Sequence, residues 1–156
     1  MTSYALTLEE RAASGFTHKF VLKWDDADID VAATSAVIAL LPYVAGTLFA
    51  AAAFTMPTTF TDGAATMSSL LLDVGHNGAT TDDPDSLLDA YELEATGTEI
   101  LGGDGNGAAF ATLRTGYVAL DAGNIEATLT ATGANLSTLT AGEVHIFLKV
   151  VPLANL

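Results

Sequence analysis

The residues best suited to proton or metal chemistry in this sequence are three histidines, His18, His76 and His145. They lie far apart and share no H-x-H or H-x₃-H ligand spacing, so each is expected in a structural role. His18 and His145 both fall in strand-like runs, where a cross-strand pair is the one way they could meet. Asp26, Asp28 and Asp30, in the run DDADID, open like a calcium loop. Counted from Asp26, however, Val31 occupies the glycine position and Val37 the terminal acidic position, so a solvated turn is expected there. Gly102–Gly107 (GGDGNG) offers calcium only Asp104 and carbonyls, and lacks the order of a dinucleotide or phosphate loop. No G-x-S-x-G elbow surrounds any serine. A glycosidase carboxylate pair is defined only in space, but the chain is poor in sugar platforms, with one Trp and four Tyr. No catalytic residue, cofactor or metal is expected.

Elements that would position any site follow from composition and period. One domain is the prior for 156 residues, half of them hydrophobic and only 15% charged. Nineteen acids against five Lys and Arg give a net charge of −14. No cation occurs between Lys23 and Arg114, which argues against nucleic acid and against an anionic membrane surface. The acidity suits a salty environment, a basic protein partner, or simple solubility. There is no cysteine, and no basic stretch followed by an apolar one opens the chain as a secretory signal would. Ala36–Phe54 is long and apolar enough to suggest a membrane span, but Pro42 and Gly46 interrupt it and no Lys or Arg flanks it.

The clearest pattern is Asn124–Val151. Ile125, Ala127, Leu129 and Ala131 alternate with Glu126, Thr128, Thr130 and Thr132; after a turn, Val144, Ile146, Leu148 and Val150 alternate with His145, Phe147, Lys149 and Val151. That is the period of two half-buried strands, hairpin-like in their sequence order. Upstream, Thr17–Trp24 reads as a strand with His18, Phe20, Leu22 and Trp24 on its apolar face. Asp30–Leu41 reads as another, broken by Pro42, with a turn to Gly46. Thr47–Met56 follows, with Leu48, Ala50, Ala52, Phe54 and Met56 sharing a face, although its alanines favour helix. Pro57–Gly63 is expected to turn, Ala65–Val74 to extend, and His76–Asp83 to form a polar loop. Asp83 as N-cap and Pro84 at the first position predict one short helix over Pro84–Tyr91. Gly97–Leu101 and Thr115–Leu120 are brief strand candidates.

About eight short strands between Gly-, Asp- and Thr-rich turns, with one minor helix, predict an all-β fold, a jelly-roll-like β-sandwich. Residues 1–15 are expected as an N-terminal arm, mobile or strapped over a neighbour, and residues 16–156 as the sandwich domain. Contact positions expected near that arm are Thr2, Tyr4, Leu6, Leu8, Arg11 and Phe16, with the loops Thr80–Asp85 and Gly102–Gly107.

From about Asp30 to Val151 the chain resembles small structural proteins encoded beside the capsid genes of tailed bacteriophages. The resemblance lies in Leu41 with Ala45-Gly46-Thr47, Phe60-Thr61-Asp62-Gly63, Leu72-Asp73-Val74-Gly75, the segment Asp85–Tyr91, Gly116-Tyr117, and Leu139-Thr140-Ala141-Gly142-Glu143-Val144. These matches are of style and order and carry no functional side chain. The resemblance implies a virion β-sandwich of cement, decoration or fibre type, on the capsid exterior, with the major capsid protein as partner. A homotrimer at a capsid threefold is the expected assembly. Two other readings are a fibre module that binds host glycan through Tyr4, Tyr43, Tyr91 or Tyr117, and a calcium-dependent adhesion module.

Overall fold

A computed structural model describes residues 1–80, 82–94, 100–101 and 117–153. In chain order the elements are β1 (Thr2–Ala5), α1 (Leu8–Ser14), β2 (His18–Lys23), β3 (Ser35–Tyr43), β4 (Thr47–Asp62), β5 (Ser69–Gly78), β6 (Asp82–Glu92), β7 (Ile100–Leu101), β8 (Tyr117–Val118), β9 (Gly123–Thr132) and β10 (Leu139–Pro152). They form two sheets, β1-β2-β10-β4-β7 with β8 also on β4, and β3-β9-β5-β6. Every pairing is antiparallel. With β1 and β8 set aside, β2-β10-β4-β7 faces β3-β9-β5-β6, the strand order of a jelly roll. The fold is an all-β sandwich.

Its core is the inner faces of the two sheets. Phe20, Leu22, Phe54, Met56, Ile146 and Leu148 from one meet Leu70, Leu72, Leu88, Ile125 and Leu129 from the other, all fully or almost fully buried. The faces read from β9 and β10 are the ones observed, because each strand has one wet side and period two fixes which residues share it. Their pairing differs from a hairpin. β9 lies in the four-stranded sheet and β10 in the six-stranded one, so the segment between them, with Gly133 at φ +91° and a 3₁₀ turn at Leu136–Thr138, crosses the sandwich.

The expected helix at Pro84–Tyr91 is a strand. β6 pairs with β5 through Leu88↔Val74 and Tyr91↔Leu72, and Leu87, Leu88 and Tyr91 are buried. A helix there would leave the outer edge of β5 uncovered; the tertiary demand for a fourth strand overrides a capping signal worth about 1 kcal/mol. Two register shifts let β6 follow β5, and Ala90 takes φ +49°, its N–H donated to Asp73 Oδ1 at 2.6 Å. The expected loop His76–Asp83 is also partly strand: β5 continues to Gly78 and His76 is buried. Gly75 is required where β6 crosses it, since a Cβ there would meet the backbone of Asp83 and Pro84.

β4 runs through the expected turn at Pro57. That proline sits in a register shift, between Thr55↔His145 and Thr58↔Glu143, where its missing N–H costs no regular ladder bond. The chain turns only at the far end of that expected stretch, at Asp62-Gly63, where Asp62 Oδ2 accepts from Thr66 N at 2.7 Å and Met67 N at 3.0 Å. Ala52, Phe54 and Met56 face the core as read from sequence, but Leu48 and Ala50 do not. A further shift, Ala51↔Lys149 followed by Phe49↔Val150, turns Phe49 inward instead. Pro42 does not break its strand: it pairs with Asn124 as part of β3, an edge strand that tolerates it.

The N-terminal segment is no free arm. Thr2–Ala5 pairs with His18–Val21 as the outermost strand of the larger sheet, and Leu8–Ser14 is a helix.

Candidate functional site

α1 is built entirely from local bonds. Thr7 Oγ1 accepts from Glu10 N at 3.3 Å while Glu10 Oε2 accepts from Thr7 N at 2.8 Å, a capping box. These bonds from Thr7, backbone first, hold the Glu10 carboxyl below its usual range. Gly15 closes the helix in the left-handed conformation at φ +78°, its N–H donated to Arg11 O at 2.8 Å. Arg11 Nε reaches back to Leu6 O at 2.8 Å. None of the helix's seven residues is buried, and Leu8 is 84% exposed.

Beside α1, the outer face of β2 and β10 carries aromatic and cationic groups. The Phe16 and Phe147 rings lie 5.8 Å apart, and Lys19 Nζ stands 5.5 Å from the Phe147 centroid. Glu143 accepts from His145 Nε2 at 2.5 Å and pairs with Lys23 Nζ at 3.3 Å. The His145 bond, then that of Lys23, outweighs burial and lowers the Glu143 carboxyl's pKa. All four Lys and Arg side chains among the described residues, Arg11, Lys19, Lys23 and Lys149, lie in α1, β2 and β10. The opposite sheet carries Asp73, Asp82, Asp83, Asp85, Asp89, Glu92 and Glu126.

At the end of the sandwich where β3 turns into β4, an open groove of about 360 Å³ is lined by His18, Leu41, Pro42, Val44, Val150 and Pro152, among others. It contains no carboxylate. Burial, and secondarily Arg11, lowers the pKa of the His18 imidazole that lines this groove.

Of the expected contact positions, Thr2, Leu8 and Arg11 are exposed and Phe16 is half-buried against Phe147. Leu6 differs from that expectation: it is buried in its own chain, whereas Leu8 is exposed. The Tyr4 side chain lies outside the described part, as does the loop Gly102–Gly107. Of the other expected loop, Thr80–Asp85, the part from Asp82 belongs to β6, and Thr80 donates to Asp121 Oδ2 at 2.6 Å through its backbone N–H.

The histidines do not come together. His18 and Leu148 are register partners on β2 and β10, and Leu148 faces the core while His145 faces out. His76 belongs to the other sheet, stacked on Phe49 with centroids 6.0 Å apart. Asp26 is occupied by its turn, accepting from Lys23 N at 2.7 Å and pairing with the Met1 ammonium at 2.6 Å. Among the described residues no three His, Cys, Asp or Glu side chains are placed to hold a metal. Tyr43 and Tyr91, two of the candidate glycan platforms, are buried in the core; the Tyr117 side chain lies outside the described part. No helix among the described residues is long and apolar enough to cross a membrane, and Ala36–Phe54 divides between β3 and β4.

Sequence reasoning missed α1 and the groove. Thr7-x-x-Glu10 with Gly15 is a readable capping box and C-cap; the groove has no sequence signal, since its walls come from both sheets. No protein-family model, curated protein or solved structure matches this chain.

Proposed function

We propose that this chain is a non-enzymatic virion structural protein of a tailed bacteriophage, a capsid cement or decoration protein that binds the major capsid protein shell from outside and stabilises it. The observation that carries this reading is α1, a helix with no residue buried against its own chain and with Leu8 in water. Helices this short are marginal alone and normally gain stability by packing a face. A partner surface is the natural place for that face. The half-buried Phe16, Phe147 and Lys19 beside it extend the contact. Jelly rolls serve as viral capsid and lectin domains, a fold-level analogy that fits the resemblance in the sequence.

The test is co-sedimentation of the purified protein with capsid shells stripped of it, across a salt series. Saturable, stoichiometric pelleting is expected, and Leu8→Asp is expected to abolish it without changing the melting temperature. A folded wild-type protein that stays in the supernatant at every salt concentration would overturn the cement reading.

A further inference from the structure

The two edges of the four-stranded sheet are built very differently. β6, one edge of the four-stranded sheet, carries Asp82, Asp83, Pro84, Asp85 and Asp89. Charges and proline on an edge strand are the usual protection against pairing with another chain. β3, the other edge, has none of these until Pro42. Its outer side has no pairing partner among the described residues, and Ser35, Val37 and Ala39 are exposed, Val37 by 61%.

Charge then says what fits this edge. The molecule carries −14, so a second copy is repelled by most of its surface. No charged residue occurs from Val31 to Thr61, the stretch that contains β3. The nearest carboxylate in the sheet, Glu126, sits one strand inside, opposite Ala39, and is engaged by Asn77 Nδ2. A basic partner would select the acidic outer strands; a like-charged copy selects the neutral one.

We propose that β3 is a self-association edge, on which a second copy adds its own β3 antiparallel across a two-fold axis. The irregularity between Ala39 and Leu41, followed by Pro42, confines flat pairing to Ser35–Ala39. A two-fold through Val37 places it opposite its own symmetry mate, with Ser35 opposite Ala39 and Ala36 opposite Ile38. No like charges meet in that register. Sheet β3-β9-β5-β6 becomes continuous over eight strands, the strand-addition mode of recognition in its isologous form. Five residues a side is a small contact, so the pair forms weakly and with concentration. The assembly is a dimer, in place of the trimer expected from sequence, and it stands whether or not the shell is the partner.

The chain's lack of cysteine makes the test direct. Paired Cα atoms in an antiparallel ladder lie about 4.5–5.5 Å apart, within the usual disulfide range of about 4.4–6.8 Å. Val37→Cys is expected to give a covalent dimer under mild oxidation, while Val44→Cys, at a position 58% exposed but off the strand, gives little. In sedimentation velocity over a concentration series, the wild type is expected to shift from monomer to dimer. Val37→Lys should lose the dimer, and Thr130→Lys, which adds the same charge on the neighbouring strand, should keep it. A wild type that stays monomeric, a trimer, or equal cross-linking through both cysteine variants overturns the proposal.

Discussion

Two carboxylates show how residue environment sets opposite pH behaviour on one fold. Burial, and then the charges of Asp89 and Asp85, raise the Asp73 pKa, although Ala90 N–H opposes the shift by donating to it. A carboxyl raised on folding favours the native state in acid and loses that contribution as pH rises through its raised value. At neutral pH the ionised Asp73 is therefore a cost. Asp73→Asn keeps an oxygen for Ala90 and removes the charge, so it should raise the melting temperature at neutral pH, with the difference closing in acid. Asp62 is the reverse case, lowered first by the Met67 and Thr66 amides. Its contribution is present above the ordinary carboxylate range and vanishes as pH falls through the lowered value. Asp62→Asn should lower the neutral-pH melting temperature and leave the acid one unchanged. Melts of both variants at the two pH extremes check the signs together.

At the scale of elements, α1 and β4 are held by different forces. β4 is rich in alanine and would be helical by propensity, yet it lies between β10 and the short strands β7 and β8, where each inward residue joins the core. α1 has only its caps. Thr7→Ala removes a capping box worth about 0.5–2 kcal/mol to the helix. Because no α1 residue is buried, opening the helix exposes no core. Amide-exchange protection over Leu8–Ser14 should therefore fall while the global melting temperature holds. A parallel fall in both would show that α1 is coupled to the sandwich.

For the whole molecule the governing quantity is charge distribution. The cations cluster around β2 and β10, while the sheet β3-β9-β5-β6 carries acids alone among the described residues. Self-repulsion within that sheet is screened over about 10 Å at 0.1 M salt. The melting temperature of the isolated protein should accordingly rise with sodium chloride, and Asp85→Asn combined with Asp89→Asn should flatten that rise. The same distribution leaves β3 as the strand edge where two copies approach at least cost, and puts α1 and the Phe16–Phe147 pair on the side that holds the Lys and Arg side chains.

The residue pattern alone specifies the fold class and the inward faces of β2, β9 and β10, because alternation against one wet side is a local property that side-chain polarity records directly. It also carried the α1 caps, in Thr7, Glu10 and Gly15. Tertiary structure decided what local polarity cannot encode. It made Asp82–Glu92 a strand because β5 needed a partner, and separated β9 from β10 because the sandwich closes by crossing sheets. It turned Phe49 inward through a register shift set by β10, and it left one uncharged strand at an open edge. Each of these depends on a neighbour distant in the chain, and pairing energy realised only after the chain folds back outweighs a local preference of about 1 kcal/mol.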